Sequence, residues 1–172
     1  TKKSDSYSKS ALYDNLAVAN MYIGNYTKAL KWNNMFLNEP VKFYREDAHA
    51  MGRIINLILH YELQHTDLLP YITRSVYRFL YKRSRLYKSE TAILAFLRNK
   101  MPKANSQKEL IVFFTELKSE LEEIIKYPYE AKAFEGFNFI AYLESKIQNR
   151  PMLEILKENV QNKIKKGKSL PN

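Results

Sequence analysis

Apolar residues recur at helical spacing on both sides of a short break at Gly24-Asn25-Tyr26. The pattern predicts two amphipathic helices within residues 15–40, and the second ends two residues before Pro40. Gly24 can adopt the left-handed backbone conformation that ends a helix, because it has no Cβ to clash. We expect the small side chains of Ala17, Ala19 and Ala29 to leave room for the two helices to approach closely. The segment is therefore a predicted helix-turn-helix unit, which must stack on neighbours to bury its apolar face.

A variant of this pattern follows in residues 44–82. Residues 44–64 predict one long helix that is apolar on more than one face, as expected for a helix packed between others. Gln64 stands where the first unit has its turn glycine, and Asp67 is the predicted N-cap of a helix over residues 68–82. Residues 44–82 are interpreted as a second, degenerate unit.

The rest of the chain departs from the repeat and predicts further helices in residues 87–166. These cover residues 87–100, 106–126, 129–148 and a last segment that starts at Asn149-Arg150-Pro151, while residues 167–172 form a tail. Ser106 and Glu109 have the spacing of a capping box, and Gly136 is a candidate irregularity. The whole chain is interpreted as a single all-α domain.

One apolar seam in residues 106–126 has two interpretations. Its members alternate at four-three spacing and are Leu110, Phe114, Leu117, Leu121 and Ile124. A coiled-coil edge would have this spacing, but the seam covers barely two heptads. We therefore expect it to pack inside the domain.

The first unit resembles a tetratricopeptide (TPR) repeat spanning residues 10–40. Matching large, small and turn-forming residues are Leu16, Ala17, Ala19, Gly24, Tyr26, Ala29, Leu37 and Pro40. Asn20 and Phe36 depart from the family pattern, which has an aromatic and a small residue there. Residues 45–88 and 142–151 also resemble the C-terminal section of long, uncharacterised bacterial TPR proteins. The resemblance implies a TPR-like α-solenoid of helical pairs with a C-terminal helical cap, here a fragment of a longer protein.

Composition excludes several classes of protein. With 45% hydrophobic residues the chain can fill a core, so disorder throughout is excluded. The absence of cysteine excludes disulfides and thiolate chemistry. The chain has no apolar run of 18 residues and no signal-peptide pattern, which favours a cytoplasmic location.

The net charge of +10 is concentrated in residues 68–108, which hold ten basic side chains and one acidic one, Glu90. An arc of about 80° on a helical wheel holds Arg74, Arg78, Lys82 and, if the helix continues that far, Arg85. Arg83 would lie on the apolar side, which predicts that the helix ends near it.

This basic surface is interpreted either as an ordinary solvated face or as a docking site for an acidic partner. That partner could be a protein segment, a nucleic-acid backbone or an anionic membrane. Tyrosines interleave with the basic residues at Tyr71, Tyr77, Tyr81 and Tyr87. We expect them to pack between helices, and no known nucleic-acid-binding motif is present. Nucleic acid is therefore the second choice after a protein or peptide.

A polar stripe follows the predicted helix 44–64 within an arc of about 100°. Its members are Glu46, His49, Arg53, Asn56, His60 and Gln64. An exposed face is one interpretation. TPR proteins bind extended peptides along the first helices of their pairs, so the resemblance implies that His49, Arg53, Asn56 and His60 line a groove. Asp14 and Val18 do not fit the TPR class that clamps a carboxyl terminus.

Catalytic motifs are not evident in the chain. His60 and His65 are five residues apart, which on a continuous helix separates them by about 140°, unlike the i, i+4 pair of a zinc protease. No phosphate-binding glycine loop or nucleophile elbow is present. The expected function is a non-catalytic protein–protein interaction scaffold without cofactor or metal. Alternatives are a polyanion-binding module or self-association through residues 110–124 or an exposed repeat end, giving a homo-oligomer.

Overall fold

A computed structural model describes residues 2–40, 46–83 and 87–168 of the chain. These residues form nine α-helices and no strand, which confirms the all-α prediction. The helices are α1 (Lys2–Tyr22), α2 (Tyr26–Asn38), α3 (Glu46–Glu62), α4 (Leu69–Tyr81), α5 (Lys88–Ala95), α6 (Gln107–Ile124), α7 (Pro128–Ala131), α8 (Phe139–Gln148) and α9 (Met152–Lys168).

Helices α1 and α2 form a hairpin that is closed by the predicted glycine turn. Gly24 has a φ of 75°, and the amide of Asn25 donates to the carbonyl of Asn20 at 2.8 Å. The amide of Gly24 donates to Met21 at 3.1 Å, which completes a Schellman motif. Asn25 then caps α2, because its side chain accepts a hydrogen bond from the amide of Lys28 at 3.2 Å. One short turn therefore ends α1 and starts α2.

The small residues of this hairpin have different environments. Ala17 and Ala29 are both 0% exposed, as expected for side chains that allow close helix approach. Ala19 is exposed, so its predicted role at the helix interface is wrong. It lies two residues from Ala17 along α1, on a different face of the helix.

Helix α3 packs closely on α2 at Gly52. A Cβ atom at this position would lie 2.7 Å from the ring of Phe36. Phe36 is fully buried and is the residue that departs from the TPR pattern, in which a small side chain is usual. The side chain of Asn33 donates to the carbonyl of Gly52 at 3.0 Å. The missing side chain at Gly52 thus makes room for the large one at Phe36.

The connection from α3 to α4 repeats the backbone geometry of the first turn. Gln64 has a φ of 56°, its amide donates to Tyr61, and the amide of His65 donates to His60, both at 2.9 Å. The predicted N-cap Asp67 is wrong. Helix α4 starts after Leu68, which provides no side-chain cap. The turn before it is formed by backbone hydrogen bonds from the amide of Leu68 to the carbonyl of His65 and from the amide of Leu69 to the carbonyl of Thr66. Residues 44 and 45 of the predicted helix lie outside the described residues.

Two predicted helices in the C-terminal half are interrupted. The helix predicted over residues 87–100 is α5 followed by a wide, π-helical turn over Phe96–Lys100. In this turn the amide of Met101 donates to the carbonyl of Phe96, five residues earlier. The helix predicted over residues 129–148 is wrong as a continuous element. It is divided into α7 and α8, with Gly136 in the interval between them. Asn138 accepts from the amide of Ala141 at 3.0 Å and so starts α8 afresh.

The cap of α6 and the ends of α9 are close to their predictions. Ser106 accepts from the amide of Glu109 at 3.2 Å, whereas the Glu109 carboxylate accepts from the amide of Asn105 at 2.8 Å instead of that of Ser106. Helix α9 starts directly after Pro151 and reaches Lys168, two residues into the predicted tail. Residues 169–172 lie outside the described residues.

A contiguous apolar core joins helices α1 to α6 with α8 and α9. The seam of α6 belongs to it: Phe114, Leu117 and Leu121 are buried, and Leu110 and Ile124 pack partly buried against them. The prediction that this seam packs inside the domain is confirmed. The seam side chains are thus covered within the chain to a large extent, and self-association stays a prediction. Among the described helices, none combines the length and apolar character that a membrane span requires.

Candidate functional site

His49, the first residue of the predicted groove stripe after Glu46, lies in the core instead. Its side chain is 0% exposed, and its ring centroid lies 4.5 Å from that of Phe36. Neither ring nitrogen has a hydrogen-bond partner within the described part of the chain. Burial, and secondarily the charge of Arg53, lower the pKa of His49. His49 is therefore a neutral core side chain, and its placement in an open groove is wrong.

The next two stripe residues contact neighbouring helices. The guanidinium of Arg53 lies 4.3 Å from the ring centroid of Phe79 on α4, a cation–π contact. The amide of Asn56 donates to the side-chain oxygens of Asn33 and Asn34 on α2, each at 2.9 Å. These contacts tie α3 to α2 on one side and to α4 on the other. The stripe is thus largely an interhelical seam.

The last histidine of the stripe, His60, lies beside His65. The two Nδ1 atoms are 2.9 Å apart, and the ring centroids are 5.0 Å apart. The predicted separation of the two histidines by about 140° is wrong, because α3 ends before Gln64 and the αL turn there brings His65 back beside His60. Burial, and secondarily His65, lower the pKa of His60. Sequence spacing on a continuous helix could not show this pair.

An apolar groove of about 770 Å³ lies beside the predicted basic surface of α4. Its buried lining includes Leu57 of α3 and Leu97 and Met101 from the segment after α5. Exposed arginines, Arg74, Arg78 and Arg98, form its rim. The third predicted basic residue, Lys82, is exposed at the end of α4 but does not line the groove. The structure therefore brings two of the three predicted residues of α4 together and adds Arg98.

Arg98 is a candidate site residue that sequence reasoning missed. Its guanidinium lies 5.5 Å from the ring centroid of Tyr77, which stacks on Tyr81 at 4.0 Å between centroids. The wide turn at Phe96–Lys100 determines which way Arg98 faces. The concentration of basic residues over 68–108 was the available signal, but helical periodicity could not place this residue at the groove.

The tyrosines of the basic region do not share one environment. Tyr87 is 2% exposed, as expected for a side chain packed between helices. Tyr71 and Tyr81 are 69% and 54% exposed, so the same expectation is wrong for them. They add aromatic surface next to the arginines of α4.

Arg83 belongs to a buried ion pair and not to the basic surface. Its Nη1 lies 2.8 Å from Oε1 of Glu90, and both side chains are almost fully buried. Burial raises the pKa of Glu90, while the pairing with Arg83 and the hydrogen bond from the Tyr87 amide oppose that rise. The predicted end of the helix near Arg83 is confirmed, since α4 ends at Tyr81. Arg85 lies outside the described residues.

A second cavity, of about 680 Å³, lies between the first turn and the start of α9. Glu62 in its wall accepts from the Tyr142 hydroxyl at 2.6 Å and from Lys146 Nζ at 2.6 Å. Burial, and then the charge of Glu62, raise the pKa of Tyr142 well above its ordinary value. Each carboxylate oxygen thus accepts a hydrogen bond from a residue of α8, and the cluster fastens the end of α3 to that helix.

Neither cavity presents a cluster that would hold a metal by itself: across residues 2–40, 46–83 and 87–168, no three His, Asp or Glu side chains converge for one. The chain matches no protein-family model, no curated protein and no solved structure. The groove between α4 and the segment after α5, with its three arginines, is therefore the strongest candidate functional site.

Proposed function

We propose that the protein is a non-catalytic interaction scaffold of TPR-like helical hairpins. In this proposal its groove binds an acidic segment of a partner protein through apolar anchor side chains. The two αL turns at Gly24 and Gln64, forty residues apart in the chain, support the repeat interpretation. A solenoid of such hairpins has no preset ligand, so the groove supplies the chemistry of recognition.

One observation carries this proposal: an apolar lining and a cationic rim occur in the same groove. The groove is also lined by Leu69, Pro70 and Tyr77, which are not fully buried and offer a surface on which a leucine or phenylalanine of the partner loses its contact with water. Arg74 and Arg78 stand at the rim, where carboxylates can pair with guanidinium groups while remaining partly hydrated. The partner chemistry that fits both features is an amphipathic acidic segment.

The groove is also supported by packed elements. Leu57 belongs to the buried face of α3, and Leu97 and Met101 are anchored in the core. A preformed surface of this kind leaves most of the ordering cost to the flexible partner. Such interfaces depend on a few central anchors, with the charged rim contributing mainly to association rate and specificity.

Binding of a nucleic acid is the second candidate. The exposed rings of Tyr71 and Tyr81 next to the arginines of α4 are the observation that favours it, because bases stack on aromatic side chains. Affinity would then follow phosphate neutralisation, with a linear fall of log K against log salt concentration. An apolar anchor would contribute little in that case.

The test uses fluorescence anisotropy with labelled acidic peptides that carry leucine and phenylalanine anchors. Arg78→Glu is expected to weaken binding about tenfold, because reversal removes an attraction and adds a repulsion, each worth ~0.5–1 kcal/mol. Lys82→Glu is the matched control: it makes the same charge change at the residue that follows α4, outside the groove, and we expect a smaller effect.

Replacing the leucine and phenylalanine anchors of the peptide by serine, with its charge unchanged, should also reduce its affinity for the protein. If the serine peptide and single-stranded DNA bind as well as the anchored peptide, and both charge reversals weaken binding equally, the groove proposal is wrong. The protein would then act as a general polyanion binder.

A further inference from the structure

The two imidazoles that follow α3 are held together by the backbone. In a Schellman motif the second residue after the helix contacts the residue five positions earlier, and that contact is commonly apolar. Here these positions are His65 and His60, whose backbones are joined by the 2.9 Å bond from the His65 amide to the His60 carbonyl. Gln64, with a φ of 56°, fixes the turn between them. The rings therefore meet because of the turn geometry.

We propose that His60 and His65 form a bidentate site for a tetragonal divalent metal ion of the Cu²⁺ or Ni²⁺ class. The two Nδ1 atoms lie 2.9 Å apart, within the separation that one metal ion can bridge. Imidazole nitrogen suits late transition metals, and Cu²⁺ has the highest affinity in the divalent series. The ion would take the place of the proton that the two nitrogens otherwise share.

The separation of the nitrogens favours one coordination geometry. Two imidazole ligands about 2.0–2.1 Å from a metal, at 90° to each other, lie about 2.8–3.0 Å apart. Tetrahedral ligands at the same distance lie about 3.3 Å apart, so a Zn²⁺ ion would require the rings to separate. The observed 2.9 Å matches the square-planar arrangement. Cu²⁺ is therefore expected to bind more tightly than Zn²⁺.

Few side chains of this protein could compete with His60 and His65 for a metal ion. The sequence contains three histidines and no cysteine. His49 is 0% exposed and packs on Phe36, so it is closed to an ion from solution. Because the described residues offer no group of three ligands, water or a side chain from a second molecule would complete the coordination sphere. Histidine-dependent metal binding by this protein can thus be attributed to one pair.

The test is a titration of the full chain with Cu²⁺, with the amino terminus acetylated to remove the competing amine. We expect one equivalent to bind by calorimetry. Substoichiometric Cu²⁺ should broaden the NMR signals of the His60 and His65 rings and leave those of His49 sharp. His60→Ala and His65→Ala should each lose this binding. Gln64→Gly keeps the αL turn and is the matched control that should retain it.

Three outcomes would overturn the proposal: binding that survives either alanine substitution, broadening centred elsewhere in the chain, or no binding by a folded wild-type protein. In those cases the imidazoles share a hydrogen bond only. Zn²⁺ binding more tightly than Cu²⁺ would contradict the assigned geometry. Circular dichroism of each variant establishes that a lost site does not reflect a lost fold.

Discussion

The turn after α1 and the turn after α3 have the same backbone motif with different residues at its centre. Gly24 has a φ of 75° and Gln64 a φ of 56°, and each is followed by an amide that bonds back to the carbonyl five residues earlier. Glycine takes this conformation without steric cost, whereas a residue with a Cβ is strained by about 1–2 kcal/mol. The packing of the flanking helices is therefore strong enough to impose the turn on glutamine.

The residue that follows each centre has a different task. Asn25 immediately caps α2, so the first hairpin is tight. His65 instead pairs with His60, and α4 starts later after Leu68 without a side-chain cap. The longer second connection also carries Thr66, which lines the arginine-rimmed groove. The first turn closes the hairpin and borders the second cavity, while the second turn places side chains at two candidate binding sites.

The largest expected effect concerns the interface that joins the two hairpins. Gly52→Leu should lower the free energy of unfolding by about 3 kcal/mol or more, because the new side chain overpacks a site where Cβ alone would lie 2.7 Å from Phe36. Urea denaturation measures the change. Gly52→Leu combined with Phe36→Ala should recover part of the loss. If Gly52→Leu proves harmless, the hairpins are not packed as closely as described.

A reciprocal exchange tests the turns directly. Gly24→Gln should destabilise the protein by about 1 kcal/mol, because it puts a residue with a Cβ in the left-handed conformation. Gln64→Gly should stabilise it by about 0.5–1 kcal/mol, because it removes that strain from the second turn. A Cβ at Gly24 meets nothing within 4 Å, so steric contact cannot account for a loss there. Thermal and urea unfolding provide the measurement. If both substitutions change the free energy of unfolding in the same direction, the two turns do not share the same preference for glycine.

The smallest expected effect is the contribution of His49 and His60 on α3 to the pH dependence of stability. The pKa values of His49 and His60 are lowered from 6.5 in the folded protein, so the unfolded chain takes up protons first as the pH falls. Stability is therefore complete above pH 6.5 and declines below it. His60→Gln should remove part of this slope and leave the part that belongs to buried His49. If His60→Gln leaves the change of the urea midpoint between pH 7 and pH 5 the same as in the wild-type protein, the assignment to His60 is wrong.

The sequence predicted those parts of the fold that depend on one residue and its immediate neighbours in the chain. The turn at Gly24 and the cap of α6 at Ser106 are examples. Prediction failed where two local signals competed. Asp67 has the chemistry of an N-cap, but the entry turn through Leu68 displaced the helix start. Asn138 began a new helix inside residues 129–148, although apolar periodicity continued across the break.

The candidate groove was only partly predictable. Arg74 and Arg78 share a helix face, so their spacing alone placed them together. Arg98 comes from another segment, and its direction depends on the wide turn at Phe96–Lys100. His49 shared the periodicity of an exposed stripe, but that face of α3 was covered by Phe36 of α2. A helical wheel describes one helix and contains no information about its neighbours.

Composition and spacing along single helices were sufficient to predict the all-α class, the first turn and the concentration of positive charge in residues 68–108. Tertiary structure decided which polar residues are buried and which meet. It enclosed His49, joined Arg83 to Glu90 and brought His65 back to His60. It also supplied the apolar lining between the arginines of the groove. These relations depend on how helices approach one another, which the periodicity of a single helix does not specify.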